Sequence, residues 1–159
     1  MRVIAERVDD GDAGHLAAYE HACRHARGRV LDVACGLGAG TRLLAERGSD
    51  VTEVVGIDPG ADVIRRAIER SNGGAVRFAC AEPSAYWDRD GFDTVVALDP
   101  LAQIADPELM IVRAIATLRR PGVLITSDSL RSTVERYGMR EIERATTKSG
   151  VTIAWQHGL

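Results

Sequence analysis

Residues 30–41 read Val-Leu-Asp-Val-Ala-Cys-Gly-Leu-Gly-Ala-Gly-Thr, and this stretch decides the fold. Residues 29–33, of which Val30, Leu31 and Val33 are apolar, predict a strand that ends in a loop carrying Gly36, Gly38 and Gly40. Residues 41–47 follow as a predicted helix with Gly48 as its stop. Glycines between a strand and a helix N-terminus let the backbone approach a ligand closely, so this loop is the first candidate binding site.

Two phosphate-binding loops compete for this stretch. A dinucleotide-binding G-x-G-x-x-G fingerprint would require glycine at residue 41, which is Thr41, and a P-loop would require a Gly-Lys-Ser/Thr run that is absent. Asp32 would also repel a pyrophosphate. A carboxylate at that place suits a cationic ligand group such as an α-ammonium, although it could instead accept hydrogen bonds from the loop's own amides.

Short β-branched runs alternate with helical patterns along the rest of the chain. This alternation predicts an α/β fold, a Rossmann-like, doubly wound, mostly parallel sheet flanked by helices, with ligands bound after Val33, Ile57, Cys80 and Leu98. The predicted strands are 29–33, 51–57, 75–80, 92–98, 123–126 and 151–155, and the predicted helices are 13–26, 41–47, 61–70, 106–120 and 133–148. Gly138 is expected to break the last of these helices.

Composition excludes several classes of protein. The 159 residues carry 20 Lys+Arg against 23 Asp+Glu, a net charge of −3, so no basic surface for nucleic acid is expected. The sequence contains no long uncharged apolar run, so neither a membrane span nor a secretory signal is expected. Cys23, Cys35 and Cys80 form neither a disulfide framework nor a zinc motif, which favours reduced thiols in a cytoplasmic protein.

The segments that follow strand ends resemble class I S-adenosylmethionine-dependent methyltransferases, over roughly residues 28–128. The likeness is greatest to the small-molecule group that includes ubiquinone-pathway and antibiotic-tailoring enzymes. The resemblance implies S-adenosylmethionine as cofactor, with Asp58, 22 residues after Gly36, on the ribose hydroxyls and Glu82 on the adenine. It implies a position beside the methionine moiety for Asp99. The implied cofactor-binding residues are Asp32, Ala34, Cys35, Gly36, Gly38, Asp58, Pro59, Glu82 and Asp99.

This chain departs from the family's pattern at four places. Ala34 stands where glycine is frequent, Gln103 where histidine is common, and Pro121-Gly122-Val123 keeps one of two usual glycines. Pro83 lacks the N–H that the family usually offers to adenine. Local roles also compete for two of the acids: Asp58 could cap the next helix, and Asp99 could be a turn residue.

The expected function is therefore methyl transfer to a small-molecule acceptor by a single domain. The alternatives are a methyltransferase-like binding or accessory protein without activity of its own and, less favoured by Thr41 and Asp32, a nicotinamide oxidoreductase. No catalytic residue and no metal ligand is assigned. His15, His21 and His25 are expected to be partly exposed helix residues, with His21 the first candidate for a general base.

The C-terminal region predicts a sheet shortened relative to the family. After a helix ending at Lys148, only residues 151–155 remain for a strand, which leaves none for the strand that the family inserts beside the fifth one. Residues 151–155 then either pair directly with 123–126 or leave an open sheet edge. An open apolar edge and Trp155 predict that residues 150–159 are mobile or are covered by a partner subunit, as in a homodimer.

Overall fold

A seven-stranded mixed sheet organises the whole described chain. The computed structural model describes residues 13–98, 104–147 and 150–157. The strand order is β3-β2-β1-β4-β5-β7-β6, in which β1 to β5 are parallel and β7 and β6 are antiparallel. The strands are β1 (Arg27–Val33), β2 (Asp50–Asp58), β3 (Val76–Cys80), β4 (Phe92–Ala97), β5 (Leu118–Ser127), β6 (Met139–Thr147) and β7 (Gly150–His157).

Helices cover both faces of this sheet. They are α1 (Ala13–His25), α2 (Ala39–Arg47), α3 (Ala61–Arg70), α4 (Pro107–Thr117) and the short α5 (Arg131–Arg136), which follows a 3₁₀ turn (Asp128–Leu130). No helix within residues 13–98, 104–147 and 150–157 is long and apolar enough to cross a membrane.

Alternate residues of the central strands pack into two separate cores. Val30 of β1 packs with α1 and α2 on one face, whereas its neighbour Leu31 packs with α4 and α5 on the other. Strands buried on both faces have near-continuous apolar sequences, which is the pattern that predicted them. The doubly wound α/β prediction is confirmed.

Helix α4 begins where the sequence predicts but ends earlier. The Asp106 carboxylate accepts a 2.9 Å hydrogen bond from the Leu109 amide, and Pro107 occupies the first turn. The predicted helix to Arg120 is wrong, because Leu118 already pairs with Phe92 at the start of β5. The Arg119 guanidinium is held in this extended segment by the Asp93 carboxylate at 3.0 Å.

The C-terminal prediction is also wrong in its helix. Residues 139–147 form the edge strand β6, and Gly138, with φ 79°, turns the chain between α5 and that strand. β7 lies between β5 and β6, pairing with both, so the inserted strand that seemed to be missing is present. Pairing of residues 151–155 with 123–126 is confirmed, for example in Ile125 opposite Ala154. The prediction of a shortened C-terminal region is therefore wrong, because the sheet has seven strands.

Trp155 is covered within the chain. Its side chain is fully buried, its indole N–H donates to the Thr126 hydroxyl at 2.9 Å, and the Arg131 guanidinium lies 5.7 Å from the ring centroid. Residues 151–155 are buried or half-buried in paired strands, so they need no partner subunit for cover. The cover of Trp155 therefore gives no reason to expect a homodimer. The homodimer stays a prediction, which light scattering can test.

Candidate functional site

The loop between β1 and α2 is a sharp turn at the carboxyl edge of the sheet. Ala34, Gly36 and Gly38 all have positive φ, 57°, 57° and 85°. The Cys35 amide donates to the Ile57 carbonyl at 2.9 Å, which ties this loop to the end of β2. A left-handed backbone costs a non-glycine residue roughly 1–2 kcal/mol, so Ala34 is accommodated with strain that glycine would not carry.

Asp32 lies beneath this loop and is fully buried. One carboxylate oxygen accepts the Tyr19 hydroxyl at 2.8 Å, and the other accepts the Thr41 hydroxyl at 2.7 Å. These two bonds join α1, β1 and α2 at a single carboxylate. The alternative that Asp32 caps the loop's backbone amides is not what the structure shows, since its recorded donors are both hydroxyls.

Burial raises the pKa of Asp32 from 3.8 to about 7, since a carboxylate without water around it is poorly solvated. The hydroxyls of Thr41 and Tyr19 oppose this change by bonding to the charged form, and the nearby Asp58 charge adds to it. A buried carboxylate with a pKa near neutrality gains most from a cation placed beside it.

Asp58 closes the other side of the loop. One oxygen accepts the Gly36 amide at 3.2 Å, and the other accepts the Gly60 amide at 2.9 Å. Helix α3 begins after Gly60 without a side-chain cap, so Asp58 is not the helix cap that the sequence allowed. Its neighbour Pro59 is exposed, and the Pro59 carbonyl accepts the Cys80 thiol at 3.5 Å.

Two glycines of the loop segment make room for aromatic side chains. A Cβ at Gly38 would lie 2.5 Å from the Phe78 ring, and a Cβ at Gly40 would lie 2.2 Å from the Tyr19 ring. The sequence suggested that these glycines make room for a ligand. In the structure, Gly38 lets the loop pack against β3, and Gly40, in the first turn of α2, lets that helix pack against α1. Cys35 is buried in the same turn, and burial raises its pKa well above the usual range.

The third predicted acid is placed less firmly than the first two. Glu82 follows β3, is half-buried, and accepts the Ser84 hydroxyl at 3.5 Å. The Ala81 amide donates to the Asp58 backbone carbonyl at 3.0 Å, which links this segment to β2, and Pro83 is buried. Asp99, together with Gln103, lies outside the described residues.

The structure adds Tyr19 and Thr41 to the site. Thr41 is the residue that breaks the dinucleotide fingerprint, and its hydroxyl donates a hydrogen bond to the Asp32 carboxylate. Tyr19 lies 13 residues before Asp32, and no local spacing signals their contact. The expectation that His21, the candidate general base, is partly exposed is wrong, because its side chain is 1% exposed and packs edge-on against His25.

Comparison with known families decides the class of protein. A family described as a methyltransferase domain matches residues 24–156. The chain belongs to this methyltransferase family. The match runs from the end of α1 to residue 156, so it includes β1 to β6 completely and β7 except for its last residue.

The curated relatives are also named methyltransferases, some acting on oxygen and some on nitrogen. The ubiquinone biosynthesis O-methyltransferase of Aeromonas salmonicida is 32% identical over 115 residues, which are 70% of this chain and 47% of that protein. Phosphoethanolamine N-methyltransferase 1 of Arabidopsis thaliana is 34% identical over 107 residues, 65% of this chain and 21% of that protein. The chain thus spans about half the length of the first relative and a fifth of the second.

A solved structure supports the architecture. The N-methyltransferase NodS from Bradyrhizobium japonicum WM9, in complex with S-adenosyl-L-homocysteine, superposes with a TM-score of 0.80 over 95% of this chain and 90% of that one. The sequences are 17% identical, so this likeness establishes the shared fold.

Proposed function

We propose that this methyltransferase-family chain binds S-adenosylmethionine at the β1–α2 loop and transfers its methyl group to a small-molecule acceptor. The observation that carries the proposal is a pair of carboxylates, Asp32 and Asp58, that flank one glycine loop at the carboxyl edge of a parallel sheet. Ligands of open α/β sheets bind at this edge, and two acids there suit a ligand that combines a cationic end with a polyhydroxylated one.

Each end of the ligand has a matching group. Asp58 ends β2 with a carboxylate that would accept from both ribose hydroxyls, beside the Gly36 and Gly60 amides that it already holds. Asp32 would supply the negative charge facing the methionine ammonium. The N-terminus of α2 has no side-chain cap, so its first amides are suited to the methionine carboxylate.

The reaction itself asks little of acid–base groups. An acceptor atom would attack the methyl carbon while the carbon–sulfur bond breaks, and the bond's electron pair stays on sulfur as a neutral thioether. Any proton on the acceptor leaves to solvent or to a base. Methyl transfer of this kind is accelerated mainly by holding the two reactants in line, so the lack of an assigned catalytic residue is consistent with activity.

Titration calorimetry with S-adenosylmethionine, S-adenosylhomocysteine and NAD tests the cofactor. We expect both adenosyl compounds to bind and NAD to show no heat, whereas NAD binding alone would support the oxidoreductase alternative and refute the proposal. Mass spectrometry of phenol, catechol and amine acceptors incubated with the cofactor then tests transfer. A methyl group that replaces a hydrogen makes the acceptor about 14 Da heavier. Cofactor binding without any acceptor of this raised mass would favour the accessory-protein alternative.

Glu82, Pro59 and Asp99 belong to the same proposal as contacts to the adenosine and methionine ends. We also place the reaction in the cytoplasm, because Cys23, Cys35 and Cys80 are free and such thiols are typical of a reducing compartment.

A further inference from the structure

Three metal-ligating side chains meet between α1 and the edge strand β6. His21 and His25 lie one helical turn apart on α1, and Glu143 lies on β6. One ligand atom from each residue falls within 4.8 Å of the other two. The two imidazole rings are edge to face with centroids 5.1 Å apart, and the His25 Nε2 forms an ion pair with the Glu143 carboxylate.

His21 is the unexplained member of this cluster. Its side chain is 1% exposed, and neither ring nitrogen has a hydrogen-bond partner among the residues that the structure describes. A buried polar atom without a partner costs roughly 1–3 kcal/mol, so native structures rarely leave one unused. A cation between the three side chains would give one of the two His21 ring nitrogens a partner.

The geometry points to a transition-metal site: we propose that His21, His25 and Glu143 bind one Zn²⁺-like ion that joins α1 to β6. Two imidazoles and one carboxylate are a ligand set typical of zinc, with a fourth position left to water. Tetrahedral bonds of about 2.0–2.1 Å set ligand atoms roughly 3.3 Å apart, so small side-chain rotations close the cluster around the ion. The exposed Glu143 and half-buried His25 have room to make them.

The charges around the cluster define the conditions for binding. Glu143 is the acid that attracts a cation, and Arg24, on the same helix, is a positive charge near His21 that opposes one. The ion therefore has to form bonds to the imidazoles, which a hard cation such as Mg²⁺ does poorly. The site should accept Zn²⁺, Co²⁺ or Ni²⁺ and reject Mg²⁺.

The role of the ion would be to hold α1 in place. The same helix carries Tyr19, whose hydroxyl bonds to Asp32 beneath the glycine loop. Because β6 is the sheet's edge strand and carries Glu143, a metal bridge would tie the first helix to the far edge of the sheet. This inference does not depend on the proposed methyl transfer.

Cobalt absorption of the full chain tests the site directly. After treatment with EDTA and its removal, Co²⁺ should give visible d–d bands that saturate at one equivalent, and Zn²⁺ should displace them. The variants His25→Ala and Glu143→Gln change partly exposed side chains, so we expect them to fold and to weaken binding at least about tenfold, since loss of even an outer partner of a ligand costs 10–100-fold.

Matched controls separate this site from adventitious binding. Glu141→Gln removes a carboxylate on the same strand that pairs with Arg131 and Arg144 instead, and His157→Ala removes a histidine of β7. Both should bind Co²⁺ as the unaltered chain does. An unaltered chain without Co²⁺ bands, or equal affinity in the His25→Ala and Glu143→Gln variants, would overturn the proposal.

Thermal melting gives a second readout. Zn²⁺ in excess should raise the melting temperature of the unaltered chain and of Glu141→Gln, because an ion that binds only the folded state stabilises it. The rise should be absent in His25→Ala and Glu143→Gln. An equal rise in all four proteins would mean that the ion acts elsewhere.

Discussion

Replacing Asp32 by asparagine removes a buried charge while keeping the shape of the side chain. The carboxylate accepts hydroxyls from Tyr19 at 2.8 Å and Thr41 at 2.7 Å, and an asparagine can satisfy both, because a hydroxyl either donates or accepts. We therefore expect the variant to fold with these contacts kept. What it loses is the negative charge facing the proposed methionine ammonium.

Two magnitudes follow from the structure. A hydrogen bond to a charged group contributes about 1.5–3 kcal/mol, so S-adenosylhomocysteine should bind roughly 10- to 150-fold more weakly to Asp32→Asn at pH 8. The pKa of Asp32 is raised to about 7, so the folded state holds a proton there that the unfolded state releases near pH 4. Stability of the unaltered chain should fall as pH rises from 4 to 7, by on the order of 4 kcal/mol from this group, and the variant should lack that fall.

The assay is calorimetric titration with two ligands at pH 6, 7 and 8. S-adenosylhomocysteine carries the ammonium, whereas 5′-methylthioadenosine has the same nucleoside without it. The unaltered chain should bind S-adenosylhomocysteine more weakly as pH falls below 7, because protonation neutralises Asp32, and the variant should show no such trend. 5′-Methylthioadenosine should bind both proteins alike.

Two results would refute this reasoning. Unchanged affinity of Asp32→Asn for S-adenosylhomocysteine would remove Asp32 from the ammonium. Equal losses for both ligands would mean that Asp32 only holds the loop in shape.

Three further variants address the rest of the structure. Asp58→Ala should weaken S-adenosylhomocysteine and 5′-methylthioadenosine alike, by about tenfold or more, while Asp62→Ala, on an exposed neighbour, leaves calorimetric titrations unchanged; unaltered affinity would leave Asp58 a loop anchor alone. Tyr19→Phe should lower the free energy of unfolding in urea by about 1.5–3 kcal/mol and raise the pH midpoint of S-adenosylhomocysteine binding, since Asp32 loses a donor to its charged form; an unmoved midpoint contradicts this. Trp155→Ala should cost about 3–5 kcal/mol in the same urea experiment, because the ring is fully buried, and a loss below about 1 kcal/mol would contradict that packing.

The parallel half of the sheet could be predicted because its signals are local. The buried parts of β1, β2, β4 and β5 are nearly continuously apolar, and Gly36, Gly38 and Gly40 mark the loop after Val33, so these features follow from the sequence. The contact of Tyr19 with Asp32 could not be predicted, because it depends on how α1 packs against β1. The cluster of His21, His25 and Glu143 could not be predicted for the same reason, because it depends on how α1 packs against β6.

The C-terminal error has a different cause. Residues 140–145 read Arg-Glu-Ile-Glu-Arg-Ala, which are mostly good helix formers, yet they form the edge strand β6. Pairing with β7 overrides their intrinsic preference, as in Arg144 opposite Ile153. Charged residues on an edge strand also discourage pairing with another chain, which explains why this strand looks unlike the others.

The position of β7 inside the sheet has a consequence for synthesis of the chain. A growing polypeptide emerges from the ribosome at about 5–20 residues per second, N-terminal strands first. One edge of β5 then lacks its hydrogen-bonding partner until residues 152–156 have left the ribosome, because β7 supplies that pairing and carries Trp155 into the core. The nascent chain therefore passes through a stage in which five parallel strands leave the edge of β5 unpaired, in addition to β3, which remains an edge of the finished sheet. A long unpaired edge is prone to aggregate, and a chaperone would bind the chain at this stage.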